Sequence, residues 1–161
     1  MRKFNLLFLL LLTLISLQAQ DKMYLHFSNK TTLGAPISST DSLWFSPDGS
    51  QAYFNISGSI YSYAINQIDS ITFGNDSQTI GIIYENESVT LFNPMAFEGV
   101  EVTISGGDVT VNATTELQDI NFNLSGSTAD GSFKIYTVKR YNLILNGLSI
   151  TNPDGPAINV K

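Results

Sequence analysis

Short alternating strands, interrupted at regular intervals, are the feature that most limits what this chain can fold into. From Gln20 onward apolar and polar residues alternate in short runs, which Gly, Pro, Asn or Asp interrupts about every eight to twelve residues. Val, Ile, Phe and Tyr are frequent in these runs, and no run has the spacing of an amphipathic helix. The pattern predicts an all-β protein built from many short strands.

The first residues have a different character. Arg2 and Lys3 precede an apolar run over residues 6–17, and the small residue Ala19 follows. This layout is that of a secretory signal peptide, and it predicts cleavage after Ala19. The alternative is an uncleaved membrane anchor, but the run is short for a hydrocarbon core about 30 Å thick. We expect a secreted or bacterial cell-surface protein that does not insert in the membrane once residues 1–19 are removed.

Composition argues against several classes of function. The chain has no Cys, which excludes disulfide staples and a lipidated Cys, and a single His, His26, is too little for the usual zinc sites. The formal charge is -6, and it becomes -8 when the cations Arg2 and Lys3 are removed. Such a surface repels nucleic acid and anionic lipid. Abundant Ser, Thr, Asn and Gly, with only 14% charged residues, favour carbohydrate and calcium as partners.

Residues 21–75 contain an internal repeat. Two stretches each open with an alternating strand and close with Asp-Ser, an aliphatic residue, one spacer and Phe, at residues 41–45 and 69–73. A supersecondary unit that is used twice is the usual origin of such a repeat. The repeat predicts a small β-meander whose Phe and Leu side chains form the core and whose Asp-Ser pairs cap turns.

The same repeat contains two possible links to sugar. Asp-Ser-aliphatic resembles an O-glycosylation acceptor motif of some secreted bacterial proteins, which would place sugar on Ser42 and Ser70. Trp44, the only Trp, would stack on a sugar ring if it were exposed, although a core position is the commoner case. Beyond this module, residues 76–98 are expected to form a hairpin or linker with its turn at Glu-Asn-Glu-Ser.

A second repeat occupies residues 99–161. The sequence from Asn121 aligns with that from Asn142 at an offset of 21, and an Asp-Gly pair recurs at an offset of 24. A step of this length, made of short strands with Asn and Gly at corners, is what one coil of a parallel β-helix needs. Asn side chains would then bond between successive coils. The expected core side chains are Phe122, Leu124, Ile135, Val138, Leu143, Leu145, Leu148 and Ile150.

The string LSGSTADGSFKIYTVKRYNLILNGLSITNPDGPAINVK resembles the start of a bacterial carbohydrate-binding domain-containing family with a right-handed parallel β-helix, similar in fold to polysaccharide lyases. The resemblance rests on Leu-Asn-Gly at 145–147 and Asp-Gly-Pro-Ala-Ile at 154–158, and it extends over residues 99–161. It implies secretion and the binding of plant-type, including acidic, polysaccharide with calcium. Further coils follow in that family. The chain is therefore interpreted as a truncated product or fragment, with a short protein that pairs through its open edge as the alternative.

Calcium sites follow from the resemblance. Calcium takes about six to eight oxygen ligands, which Asp and Asn side chains and backbone carbonyls at turns can supply. Asp130 and Asp154 occupy matching turns, with Asn152 nearby, and these three are the candidate metal ligands. The alternative is that each Asp-Gly simply forms a turn. A calcium ion could also bridge to the carboxylate of a uronate sugar.

An enzyme is the weaker hypothesis. A polysaccharide lyase would need a Lys or Arg base beside the uronate, for which Lys134, Lys139 and Arg140 are available, but the last two are expected at a solvated corner. The chain contains no nucleophile elbow, phosphate-binding loop or His-based metal motif. We expect a non-catalytic carbohydrate-binding protein. The alternatives are a surface adhesin or display protein and a remnant of a lyase.

Overall fold

The computed structural model describes residues 20–161, and the predicted signal segment lies outside this part of the chain. The described residues form an all-β protein, as predicted, with two short 3-10 turns, Ile37–Ser39 and Ile65–Gln67. Among residues 20–161 no helix is long and apolar enough to cross a membrane. The strands are β1 (Lys22–Phe27), β2 (Thr31–Pro36), β3 (Thr40–Phe45), β4 (Gln51–Ile56), β5 (Ser59–Ala64), β6 (Ile68–Gly74), β7 (Thr79–Glu85), β8 (Ser88–Asn93), β9 (Val100–Ser105), β10 (Asp108–Ala113), β11 (Ile120–Thr128), β12 (Ser132–Thr137), β13 (Tyr141–Ile150) and β14 (Ile158–Val160).

The first module is built by strand exchange between its two repeats. Each repeat is a hairpin, β1-β2 or β4-β5, followed by a 3-10 turn and a third strand. The third strand of the first repeat, β3, pairs antiparallel with β4, and that of the second, β6, pairs antiparallel with β1. The predicted β-meander is found in part: β3, β4 and β5 are consecutive antiparallel neighbours, whereas β6 crosses to pair with β1.

This exchange produces two three-stranded layers, β2-β1-β6 and β3-β4-β5, that share one core. Alternate side chains of the central strands β1 and β4 point inward, because successive side chains of a strand face opposite sides. The buried apolar residues of this core are Met23, Leu25, Phe27, Ala35, Ala52, Phe54 and Ile56.

The predicted hairpin forms, with β7 and β8 antiparallel. Its strands also pair outward: β8 runs parallel to β2 of the first module, and β7 runs parallel to β11 of the second. One seven-stranded sheet, in the order β13-β11-β7-β8-β2-β1-β6, consequently passes through both modules. The hairpin is thus a continuous part of the sheet that joins the two modules.

The second module contains parallel strands at the spacing that the repeat predicted. In the pairing of β11 with β13, Asn121 lies opposite Asn142, which is the offset of 21 residues. The Asn142 amide Nδ2 donates to Asn121 Oδ1 at 2.9 Å, the predicted contact between successive repeats. A four-stranded sheet, β14-β12-β10-β9, contains a second parallel series, β10, β12 and β14. The buried apolar residues between the two sheets form the second core.

Most of the expected core residues are buried or pack against the core. Phe122, Leu124 and Ile135 are fully buried, and the partly buried residues are Leu143, Leu148 and Ile150. Two expectations were wrong. Val138 is 93% exposed because it lies in the turn after β12. Leu145 is opposite the buried Leu124, but it is 56% exposed because β13 is the edge strand of its sheet.

A buried lysine fastens the first module to the segment after the hairpin. Lys22, on β1, is 2% exposed, and its Nζ donates to the Pro94 carbonyl at 3.1 Å and pairs with the carboxylates of Glu98 and Asp76. Burial lowers the pKa of this ammonium group, and the charge of Asp76 opposes that shift. A charged contact therefore holds the first module to residues 76–98, in addition to the pairing of β8 with β2.

Candidate functional site

The outer surface of the four-stranded sheet is a polar face. Strands β9, β10 and β12 alternate between buried apolar side chains and outward polar ones, and register brings the outward side chains into rows across the sheet. One row joins Glu101, Asn112 and Tyr136. The next row consists of Thr103, Thr110, Lys134 and Asn159. These seven residues are called the polar face below.

A groove lies at the junction of the two modules, beside this face. It has a volume of about 490 Å³ and is bounded on one side by β5 and on the other by β9 and the residues after β10. Its aromatic and polar lining includes Tyr61, Tyr63, Phe97, Glu101, Asn112 and Thr114. Ligand sites are often found at such boundaries between structural units. We call it the junction groove.

Packing fixes the aromatic wall of the groove. The rings of Tyr61 and Phe97 meet edge to face with centroids 4.7 Å apart, and the Tyr63 ring packs against Phe27 at 4.9 Å. Burial, with a smaller contribution from Tyr61, raises the pKa of the Tyr63 phenol to about 12. Tyr63 therefore stays neutral at ordinary pH. Rings that are held by their neighbours lose little freedom when a ligand packs on them.

The junction groove and the polar face are continuous. Glu101 and Asn112 belong to both, since they line the groove and also form the first row of the face. The combined surface offers aromatic rings beside a carboxylate, an amide and several hydroxyl groups. Sugars present apolar ring faces and many hydroxyl groups, so this mixture suits a carbohydrate chain.

Tyr136 is the exposed aromatic side chain of the polar face. It is 39% exposed and lies opposite Asn112 on the neighbouring strand. The ammonium group of Lys161 lies 5.8 Å from the centre of its ring, within range of a cation–π interaction. The same face therefore contains a ring for stacking and nearby positive charge.

The candidate calcium ligands lie in two turns whose flanking strands are adjacent. The backbone N–H of Gly131 donates to the Thr151 carbonyl at 3.0 Å, which brings the turn of Asp130 beside the segment that leads to Asn152 and Asp154. Both carboxylates are exposed. The Asn152 side chain, however, accepts the Asp154 N–H at 3.1 Å and donates to Pro156 O at 3.1 Å, so it is engaged in its own turn.

These turns do not form a complete metal cage of side chains. Within residues 20–161, no group of three or more His, Cys, Asp or Glu side chains is placed to hold a metal ion. The oxygen atoms of Asp130, Asn152 and Asp154 are fewer than calcium needs, and one of them is already bonded. The fit of the three residues to calcium is therefore poor unless backbone carbonyls and water complete the set.

The basic residues that were considered for lyase chemistry separate into two groups. Lys139 pairs with Glu116 at 2.6 Å, and Arg140 pairs with Asp119 through two contacts of 2.8 and 3.0 Å. Both lie in the turn between β12 and β13, as expected for a solvated corner. Only Lys134 lies on the polar face.

The sequence motifs of the first module lie away from the junction groove. Trp44 is 39% exposed on the outer side of its sheet and stacks on Tyr53 with centroids 5.3 Å apart, so the commoner core position is not adopted. Ser42 and Ser70 are exposed on the edge strands β3 and β6, where glycosylation remains a prediction. His26 is half-buried on β1, between hydroxyl groups of neighbouring strands.

No family model, curated protein or solved structure matches this chain. The site therefore rests on its own geometry. Sequence reasoning missed the junction groove, because Tyr61 lies in the first module and Phe97 in residues 76–98, and their rings meet only in the folded chain. The alternation Val-Glu-Val-Thr in β9 and Val-Thr-Val-Asn in β10 did contain the polar face, but it gave no sign of which strands are neighbours.

Proposed function

We propose that this chain is a non-catalytic carbohydrate-binding protein of the secreted or cell-surface class, with plant-type, including acidic, polysaccharide as its partner. The observation that supports the proposal most directly is the continuity of the junction groove with the polar face. Aromatic rings there adjoin amide, hydroxyl and carboxylate groups on a preformed, strand-built surface. Of the candidate lyase bases Lys134, Lys139 and Arg140, the last two form ion pairs with carboxylates and are therefore less available as a base.

We further infer that the parallel strands are the first coils of a right-handed parallel β-helix, the fold of the family that residues 99–161 resemble. The support is the register of β11 with β13, which equals the sequence repeat, and the parallel series β10, β12 and β14 on the opposite sheet. Two parallel series separated by one core are what successive coils of a solenoid produce.

In this proposal calcium binds only at the turns that contain Asp130 and Asp154. Asp130 and Asp154 supply carboxylate oxygens, and any ion there needs other oxygens from backbone or water. Its effect would be to hold neighbouring turns together. A rise in the unfolding temperature with added calcium chloride, absent in Asp154→Asn, would support this site. An equal unfolding temperature with calcium and with chelator would remove calcium from the proposal.

The test of carbohydrate binding compares two exposed aromatic side chains. Affinity electrophoresis through gels that contain polygalacturonate, together with a pull-down on cellulose, measures retention of the purified chain. Tyr136→Ala on the polar face should weaken retention, whereas Trp44→Ala on the first module should leave it unchanged. If Trp44→Ala abolished retention and Tyr136→Ala did not, the binding site would lie on the first module instead. A folded chain that neither polymer retains would contradict the proposal.

Surface adhesion or display is the second candidate. Phe45 on β3 and Phe73 on β6 are more than half exposed, although their register partners Ala52 and Met23 belong to the first core. Apolar side chains on exposed edge strands are suited to contact with another protein. Self-association that Phe45→Ser abolishes, in a chain that binds no polysaccharide, would favour this candidate.

A further inference from the structure

The polar face contains a lysine, Lys134, that pairs with no carboxylate of residues 20–161. Four basic side chains of residues 20–161 form ion pairs with carboxylates, and these are Lys22, Lys30, Lys139 and Arg140. Lys134 forms no ion pair with a carboxylate anywhere in this part of the chain, and Lys161 contacts the ring of Tyr136. The two lysines without a carboxylate partner in residues 20–161 therefore lie on β12 and beside its residue Tyr136.

The surroundings of Lys134 suit a sugar that bears a carboxylate. Thr110 and Asn159 lie opposite Lys134 on the two neighbouring strands, and Tyr136 is two residues further along the same side of β12. Lys134 is only half-buried, so its aliphatic stem covers the sheet while the ammonium group remains available to solvent. A hydroxyl, an amide, a ring and a cation thus lie within about one or two strand spacings of roughly 4.8 Å.

Acidic side chains also face this surface and limit what it can bind. Glu101 is in the row of Tyr136, and Asp108 lies two residues before Thr110, where its carboxylate accepts the Ser132 hydroxyl at 2.6 Å. A polyanion that covered the whole face would meet both carboxylates. The arrangement therefore favours one uronate beside Lys134, with neutral sugar units on the Glu101 side and in the junction groove.

We propose that Lys134 is the residue that recognises a uronate carboxylate, through a direct contact that needs no calcium. The ammonium group donates to the carboxylate, Thr110 and Asn159 bond to neighbouring hydroxyl groups, and Tyr136 packs against the sugar ring. This inference rests on the proposed function. It replaces the calcium bridge by a charge-assisted hydrogen bond, which agrees with the poor fit of Asp130, Asn152 and Asp154 to a metal.

The experiment separates the two routes by ligand, chelator and variant. Polygalacturonate and its fully methyl-esterified form share one backbone, but only the first has free carboxylates. The purified chain is run through gels of each polymer with and without EDTA. Lys134→Gln is compared with Lys30→Gln as a control. Lys30 carries the same charge but forms an exposed ion pair with Glu85 and is not part of the polar face. Circular dichroism verifies that each variant folds.

We expect polygalacturonate to retain the chain equally with and without EDTA. Lys134→Gln should lower the affinity about tenfold or more, and Lys30→Gln should change it by no more than about twofold. Lys134→Arg should retain most of the affinity because it keeps the charge. Equal effects of Lys134→Gln and Lys30→Gln, or retention that EDTA abolishes, would overturn the inference. Retention by the ester that equals retention by the acid would also overturn it while leaving carbohydrate binding intact. No retention by either polymer would instead contradict the proposed function.

Discussion

The two modules of this protein each contain a sequence repeat, but they use it in opposite ways. In the first module the repeats exchange their third strands, so β3 closes the second hairpin and β6 closes the first. In the second module the repeats are stacked in parallel, so β13 simply lies beside β11 in the same direction. Exchange uses each repeat to complete a layer of the other, whereas stacking places equivalent strands of successive repeats side by side.

In both modules the burial of a side chain depends on where its strand lies in the sheet. The central residue Phe54 of the first module is fully buried between two layers. In the second module Leu124 is fully buried, yet Leu145, its register partner, is more than half exposed. The exchanged edge strands of the first module show the same contrast, since Phe45 and Phe73 are more than half exposed opposite the core residues Ala52 and Met23. Residues that are equivalent in sequence are consequently not equivalent in energy.

The largest expected effect comes from that register pair. Leu124→Ala removes a fully buried side chain and should cost about 2–5 kcal/mol of unfolding free energy. Leu145→Ala changes the same atoms on the edge strand and should cost about 1 kcal/mol or less, because much of the side chain is already in water. Urea denaturation of both variants measures the difference. Equal losses would show that Leu145 is covered in solution and would contradict its exposure on an edge strand.

The two aligned Asp-Gly turns give the next effect. A Cβ at Gly131 would collide with the carbonyl of Gly107 in the neighbouring turn, whereas one at Gly155 would have only the Asn152 amide nearby at 3.8 Å. Gly131→Ala should therefore destabilise by about 1–3 kcal/mol, and Gly155→Ala should stay within about 0.5 kcal/mol. Thermal unfolding of the pair checks this. A neutral Gly131→Ala would mean that the turns do not stack closely.

The asparagine contact between stacked repeats is a smaller contribution. Asn142→Ala should cost about 0.5–1 kcal/mol, because the bond to Asn121 is exposed and competes with water. A double-mutant cycle with Asn121→Ala isolates the coupling, as the two side chains touch each other. A coupling energy near zero would indicate that register comes from the apolar side chains alone.

The smallest effect concerns the turn that connects the exchanged repeats. The Asp48 carboxylate accepts hydrogen bonds from the Ser46 hydroxyl and from the backbone and hydroxyl of Ser50, which lowers its pKa to about 2. Because the folded-state pKa is the lower one, the stabilisation is present above about pH 4 and is lost as the pH falls towards 2. The protection of the β3 and β4 amides against hydrogen exchange should decrease over this pH range. Asp48→Asn should remove that dependence, and an unchanged profile would assign it to other carboxylates.

Prediction from sequence succeeded where one strand or one repeat held all the information. The all-β class, the hairpin of β7 with β8 and the offset between Asn121 and Asn142 all follow from local alternation and spacing. The predicted meander was right for β3, β4 and β5 but not for β6, because nothing local distinguishes a strand that folds back on its own hairpin from one that crosses to another. The predicted burial of Leu145 was wrong for a related reason. Its inward orientation was right, but its burial depended on a neighbouring strand.

The sequence by itself determined which side chains each strand turns inward, because residues two apart share a face whatever the strand pairs with. It therefore contained the polar alternation of β9, β10 and β12 and the offset of 21 residues that β11 and β13 follow in their pairing. Only the tertiary structure decided that Lys134 lies between Thr110 and Asn159 and that Tyr61 meets Phe97 at the junction groove. Those contacts depend on pairing between segments far apart in the chain, which is selected by the packing of both cores together and leaves no local mark in the residues.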